Sequence, residues 1–361
     1  MLKYAANSFV FRLVKGIFSP LGYAVGQTSL TFDSATRVLT SSLRFFSKVD
    51  YSMKCPPGSV FCSSEIAPLR RVIVHRPDEG IARISPKDAE ELLFDDIVHL
   101  PNMQEEHDVF TAVLRAFLGK ENVLETQQLL AEALGADEES KQWMINEIID
   151  YEELPSDVKE LLQGLSNDEL ADLLISGYME KEDYYLFDPI PNFIFTRDIA
   201  VVVNDYVIIT KAARSARFRE NFLARFIFFA HPIFKDTRDQ NKIINMNDVN
   251  EFPPSRKGDF ISIEGGDMMI INKDYLLIGC SERTNSYSIK LLKEALFARK
   301  VVKNVVQEYS AGPCLHAPGY DFYPDKCQPH LRLQTHNFGR LELLCGGTPP
   351  YGYFNHLCFA G

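Results

Sequence analysis

What the chain lacks narrows its class first. No run of about twenty uninterrupted apolar residues is present. The apolar stretch around Phe222 to Phe234 is broken by Arg225, His231 and Pro232, so no membrane span is expected. There is no Lys/Arg run either. The 38 basic residues face 49 acidic ones, a formal net charge of −11, which argues against a nucleic-acid partner. No Gly-rich phosphate loop, Walker lysine or dinucleotide fingerprint occurs, and no His pair has metal-ligand spacing. Neither a metal nor a nucleotide cofactor is expected. The seven cysteines are odd in number and scattered, which fits a reducing compartment better than a disulfide framework. With 46% hydrophobic and 24% charged residues, the 361-residue chain is ordinary globular material, long enough to bury a full core.

Charge divides the chain unevenly. Residues 1–60 form an N-terminal extension whose first 49 residues hold Lys3, Arg12, Lys15, Arg37, Arg44 and Lys48 against Asp33. That segment carries +5 and the rest −16. The composition, with a basic-edged helix expected over Phe9 to Ile17, is that of an organellar transit peptide. Arg44-Phe45-Phe46-Ser47 resembles a mitochondrial processing site, so a mitochondrial address is expected. The alternative is translated upstream sequence on a cytoplasmic protein.

From Ser64 the pattern sharpens. Leu69 to His75 reads as a buried strand stopped by Arg76-Pro77-Asp78-Glu79-Gly80. Ser85-Pro86-Lys87-Asp88 should cap a short helix through Leu93. Gln104 to Ile175 reads as continuous amphipathic helix, broken at Gly135 and Pro155-Ser156 and restarted at Ser166-Asn167-Asp168-Glu169. It predicts a helical bundle over about 104–180, inserted into an α/β domain spanning 61–310. Short strands follow at Ile199–Val203, Tyr206–Thr210, Phe260–Ile263, Met268–Ile271 and Tyr275–Ile278. Asn204-Asp205 and Lys273-Asp274 suit hairpin turns, and Ser286 to Arg299 suits a helix with Ile289, Leu291, Leu292 and Leu296 inward. Repeated β-hairpin and helix units are the expectation.

Four segments could carry chemistry. Asn192 to Asp198 ends an apolar stretch with polar groups at a strand corner, although Thr196 and Asp198 could simply satisfy a turn and Arg197 pair with an acid. Glu264-Gly265-Gly266-Asp267 puts two acids beside close-approaching backbone, or else forms a plain hairpin with solvated acids. Arg283, in Cys280-Ser281-Glu282-Arg283-Thr284, could fork onto a carboxylate or be capped by Glu282. Lys211 to Glu220 is a basic cluster, read either as a solvated helix face or as an anion site.

Taken in order, these segments resemble the arginine deiminase family of guanidino-group-modifying enzymes. The match runs from Ser64-Glu65-Ile66-Ala67-Pro68-Leu69 and Val72 to Pro77, through Leu93-Phe94-Asp95-Asp96, Glu106-His107, Pro191 to Asp198 and Glu264 to Asp267, to Ser281 to Thr284. The resemblance implies a pseudo-fivefold α/β propeller with an inserted helical bundle. It implies hydrolysis of L-arginine to L-citrulline and ammonia through a Cys-thiouronium intermediate, with no cofactor and with a homo-oligomer left open. It makes Asp198 and Glu264 the catalytic carboxylates on the substrate guanidinium. Asn192, Arg217 and Arg283 would hold the amino-acid end. Another guanidino-modifying activity, or a non-catalytic arginine-binding protein descended from the enzyme, stays as an alternative.

Two segments that the family requires are missing: Met-His-Leu-Asp with the general base, and a later Gly-Gly…His-Cys with the nucleophile. The last fifty residues instead hold four of the seven cysteines, four of the eight histidines and six prolines. Written as degenerate codons and read one nucleotide later, His316 to Asp325 can encode Met-His-Leu-Asp-Thr-Ile-Phe-Thr-Arg-Ile. A frameshift between about Val306 and Gly312 is therefore expected, with 311–361 a frameshifted tail that is not native-like. None of Cys314, Cys327, Cys345 or Cys358 is then the nucleophile, and the chain as written is expected to turn over little or no arginine.

Overall fold

The computed structural model describes residues 60–82, 84, 89–94, 98–309, 330–335 and 341–344. The basic segment 1–49, Asp95-Asp96 and the codons read for a frame change at 316–325 lie outside the described residues.

The first strand, β1 (Val72–Val74), leads into two short helices, α1 (Glu79–Ala82) and α2 (Ala89–Leu92), and then the long α3 (Leu100–Leu118). The helical reading of 104–175 is corrected at this point. Val123–Glu125 forms strand β2, which pairs in parallel with β1 in the register Val72↔Val123. Three residues are too few to show a period, so a partner some fifty positions earlier decides their conformation. Helices α4 (Thr126–Leu134), α5 (Glu138–Tyr151), α6 (Val158–Gln163) and α7 (Asn167–Ser176) follow. The restart read at Ser166 is observed, and α5 has a side-chain cap of its own that the sequence reading did not name. Asp137 accepts from the Ser140 amide, and Ser166 and Glu169 form a reciprocal capping box. A small hairpin of β3 (Tyr178–Met179) and β4 (Tyr184–Tyr185) ends this region.

Two copies of one module come next. In the first, the short helix α8 (Thr196–Ile199) leads into an antiparallel hairpin of β5 (Ala200–Val203) and β6 (Tyr206–Ile209). After it, α9 (Phe218–Ala230) and the short α10 (Lys235–Asp239) carry the chain to β7 (Ile243–Asn245), parallel to β6. In the second, β8 (Met268–Asn272) and β9 (Tyr275–Cys280) form the hairpin and α11 (Ser286–Ala298) the crossover. Strand β10 (Asn304–Tyr309) then lies parallel to β9. Both hairpins turn at the expected Asn-Asp and Lys-Asp positions, Asn204 taking a positive φ of 51°. Phe260–Ile263 is not a strand; a single bridge, Ile263 to Lys211, is all that forms. In the tail, β11 (His330–Thr335) pairs antiparallel with β10, and β12 (Leu341–Leu344) pairs antiparallel with β11, which extends the second sheet. Among the described residues the four sheets are open, and none closes on itself.

The period of two along a strand divides the core. Val207, Ile209 and Ile243 face the helices, packing with Leu130, Leu174, Phe193 and Leu223. Val201, Val203, Ile208 and Ile244 face the second module, with Ile263, Leu276, Ile278, Leu292 and Leu296. The helical bundle is therefore one wall of the α/β core rather than a separate body.

Strand β1 is fixed by a buried ion cluster. His75 donates to Asp78 Oδ2 at 2.9 Å and Glu125 Oε1 at 3.2 Å, and its ring lies 5.1 Å from that of Phe193. Burial opposes the charged imidazole, but the two carboxylates outweigh it and push its pKa up from 6.5 to about 9. A raised folded-state value means stabilisation fully present below pH 6.5 and lost as pH rises through about 9. Urea midpoints between pH 6 and 10 should fall across that window in the parent and not in His75→Asn. Equal slopes for both proteins would remove this role.

Candidate active site

Four charged side chains meet where the two modules face each other. Asp198 lies in α8, just before the first hairpin, and Arg217 ends the 3-10 turn Ser215–Arg217 just after it. Glu264 stands before the second hairpin and Arg283 in the turn after it. Acid and arginine are 19 residues apart in each module, and each pair is joined through Nη1. Arg217 reaches Asp198 Oδ2 at 3.1 Å, and Arg283 reaches Glu264 Oε2 at 3.3 Å. Among these four side chains one contact crosses between the modules, from Arg217 Nη1 to Glu264 Oε2 at 3.0 Å.

Arg197 and a pair of glycines hold the loop between these groups. The Arg197 guanidinium donates to Gly265 O and Met268 O and forks onto both oxygens of Glu65. Of the two sequence readings of Arg197, pairing with an acid is the one observed. A Cβ at Gly265 would lie 1.9 Å from the Arg197 carbonyl oxygen, so only glycine allows this approach of two backbones. The approach brings the Gly266 amide to Asp198 Oδ1 at 3.1 Å. Asp198 thus offers one oxygen to the loop and the other to a cation. Thr196 Oγ1 donates to Ile73 O at 3.1 Å, which hangs α8 on the strand that His75 anchors.

Glu264 is 5% exposed, which rules out the plain hairpin with solvated acids. Its backbone amide is held by Thr284 Oγ1 at 3.0 Å, and its Oε2 takes both arginines. Arg283 pairs with Glu264 rather than being capped by Glu282. The basic cluster is not a solvated helix face either, since Arg217 is 3% and Arg219 4% exposed. Arg219 packs over Phe187 with its guanidinium 4.5 Å from the ring centre. It bonds Leu174 O, Asp188 O and Glu152, so it belongs to the scaffold.

The sequence reading missed Glu220. This residue is 1% exposed and forks onto Arg217, accepting from Nε at 3.1 Å and from Nη2 at 2.9 Å. Burial pushes its carboxyl up from 4.5 to about 7, against the pull of Arg217. The signal was present as an Arg/Glu pair at i, i+3 on a helix start, hidden among the other charges of Lys211 to Glu220. Asn192 lies in the buried 3-10 turn Pro191–Ile194, just before α8. Its amide donates to Leu92 O at 2.9 Å, and among the described residues no hydrogen bond joins it to the other four. The described residues contain no group of three or more His, Cys, Asp or Glu placed to hold a metal ion.

Three carboxylates, Asp198, Glu220 and Glu264, thus face two guanidiniums, Arg217 and Arg283, at the ends of two ββαβ modules. Arg283 is 42% exposed and open to solvent. This defines an α/β protein with a buried, mutually paired cluster of charges between two modules.

Comparison with known proteins gives the family. The family model described as arginine deiminase matches residues 90–174 and 163–310. An arginine deiminase of Borrelia garinii subsp. bavariensis is 32% identical over 273 residues, covering 69% of this chain and 62% of its own. One of Listeria welshimeri is 35% identical over 256 residues, covering 66% and 60%. The chain belongs to the arginine deiminase family. It spans about three fifths of the length of these relatives. Among solved structures, a dimethylarginine dimethylaminohydrolase adduct superposes with a TM-score of 0.35 at 14% identity, over 66% of this chain and 60% of that one.

Proposed function

We propose that this chain carries the arginine-binding part of a hydrolase converting L-arginine to L-citrulline and ammonia. One observation carries the reading: carboxylates from two successive modules, Asp198 and Glu264, converge on a single guanidinium nitrogen, that of Arg217. A site that already grips one guanidinium has the charge and spacing to grip another. The exposed Arg283 suits a carboxylate at the ligand's far end. Asp198 and Glu264 would orient the guanidinium for thiolate attack on its central carbon. Ammonia would then leave, and water would release citrulline from the thiouronium.

In this proposal the thiolate and general base are encoded downstream of a frame change between about Val306 and Gly312. The match to the family model stops at residue 310, which supports that position. The propeller reading gains support from the two ββαβ modules with their equal acid-to-arginine spacing. We also propose residues 1–49 as a mitochondrial address; a reporter fusion that stays diffuse in the cytosol would remove it.

The test is titration calorimetry with L-arginine on the full chain, together with a citrulline assay. Saturable one-site binding with no citrulline above the buffer blank is expected, and restoring the frame should produce citrulline. Absence of arginine binding would overturn the site. Robust citrulline formation by the chain as given would overturn its proposed inactivity.

A further inference from the structure

A cavity of about 610 Å³ opens between the start of α5 and the later half of α9, and none of Asp198, Arg217, Glu264 or Arg283 lines it. That volume falls in the range of small-molecule sites. Its apolar wall is aromatic. Phe226 and Phe229 come from α9, and Trp143 of α5 stacks on Phe226 with 6.0 Å between ring centres and 9° between planes. Trp143 and Phe229 nonetheless stay 40% and 49% exposed, which leaves flat apolar surface uncovered. Arg225 and Asn245 belong to the polar wall. Asn245 ends β7, and its parallel partner β6 leads on to Lys211, whose backbone bridges to Ile263. The period of two puts Lys211 on the side of Val207 and Ile209, which face the helices, and so on the side of α9. Both cations are half-buried, and among the described residues no hydrogen bond or ion pair holds either side chain. Burial, together with the nearby Arg225, pushes the Lys211 pKa down from its ordinary value. The acids of the cavity do not relieve this. Asp137 has its two oxygens on the Ser140 amide and hydroxyl, and Glu139 is exposed at the start of α5. Two partly desolvated, mutually repelling cations are unfavourable until an anion joins them.

We propose that this cavity binds a phosphate monoester carried on a flat aromatic ring, a nucleoside monophosphate being the size that fills it, with the ring against Trp143 and the phosphate at Arg225 and Lys211. Charge decides for phosphate. A carboxylate brings one negative charge to two cations, whereas a phosphate monoester at neutral pH brings nearly two. Stacking on an aromatic side chain tolerates any base, since every base has a flat face to offer. Amino or hydroxyl donors on the ligand find an acceptor in Glu139, at the other end of the cavity. No glycine-rich loop takes part, so side chains alone hold the phosphate. The basic cluster Lys211 to Glu220 is thereby divided: Arg217 and Arg219 are spent on internal partners, and Lys211 keeps the anion role. This site does not depend on the arginine-binding reading given above.

Trp143 is the only tryptophan of the chain, so its fluorescence reports on this cavity directly. The test titrates the full chain with AMP, adenosine and n-butyl phosphate, and confirms each affinity by equilibrium dialysis. AMP should quench the emission saturably. Adenosine, which lacks the anion, and n-butyl phosphate, which lacks the ring, should each bind at least about tenfold more weakly. Arg225→Gln and Lys211→Gln should each weaken AMP about tenfold and leave adenosine unchanged. Lys211 lies beyond a strand end rather than within a helix, so its variant keeps the test open if the Arg225 variant folds poorly. Adenosine binding as tightly as AMP would reduce the cavity to an apolar slot. Equal binding of n-butyl phosphate would leave an ion site without a ring, and no response to AMP in the parent would remove the site altogether. Each of these three results overturns the proposal.

Discussion

Gly265→Ala should destabilise the protein by about 3 kcal/mol and abolish arginine binding at the same time. The new methyl group would sit 1.9 Å from the Arg197 carbonyl oxygen and 2.6 Å from a Val201 methyl. The first of these is backbone on a helix that cannot swing aside as a side chain would. Relief requires parting the 264–268 turn from α8, which breaks the Arg197 bonds to Gly265 O and Met268 O and pulls the Gly266 amide off Asp198. The control is Gly279→Ala, whose added carbon would meet its nearest neighbour at 3.6 Å and should change little. Urea denaturation with arginine titration checks both. Parent-like stability and affinity in Gly265→Ala would show that the turn does not depend on this approach.

Glu264→Gln should weaken L-arginine binding ten- to hundredfold, the range for losing one charged hydrogen bond of about 1.5–3 kcal/mol. Oε2 of Glu264 faces two guanidiniums at 3.0 and 3.3 Å. An uncharged amide leaves those cations facing each other with less compensation and lowers the attraction for a third. Asp267→Asn removes the same charge three residues away. Because Asp267 Oδ2 accepts from Ser281 Oγ, that variant should keep an affinity near the parent's. Calorimetric titration of the two variants side by side reads the difference. Equal weakening in both would mean that general negative potential rather than Glu264 itself holds the ligand.

The sequence made the modules legible because their signals are local. The Asn204-Asp205 and Lys273-Asp274 turns, the Ser166 capping box and the apolar face of α11 each depend on neighbours a few residues away. Asp198, Glu264, Arg217 and Arg283 came from a family resemblance, and the structure groups them. Asn192 came from the same source, and its amide is bonded to the Leu92 carbonyl, a partner 100 positions earlier. What stayed hidden shares that character. The β2 strand exists only through β1, the His75 cluster joins positions 50 residues apart, and the Glu65 fork on Arg197 spans 132. Glu220 is the exception. Its pairing is local, but a raised charge density around it reads as an exposed surface until burial is known.

Those spans also set the order in which the molecule can mature. Glu65 accepts from Arg197, 132 residues on, and from the Ile270 amide, 205 residues on, so the clamp around the charged cluster closes loops of most of the module-bearing chain. Loop closure of that length is entropically slow, and proteins dominated by such pairings fold on millisecond-to-second scales. The individual hairpins and capped helices can form early from local contacts, whereas ligand affinity arrives with the last closure. During refolding, arginine should therefore meet a chain that already has its secondary structure and cannot yet hold it, and it should slow unfolding more than it speeds folding.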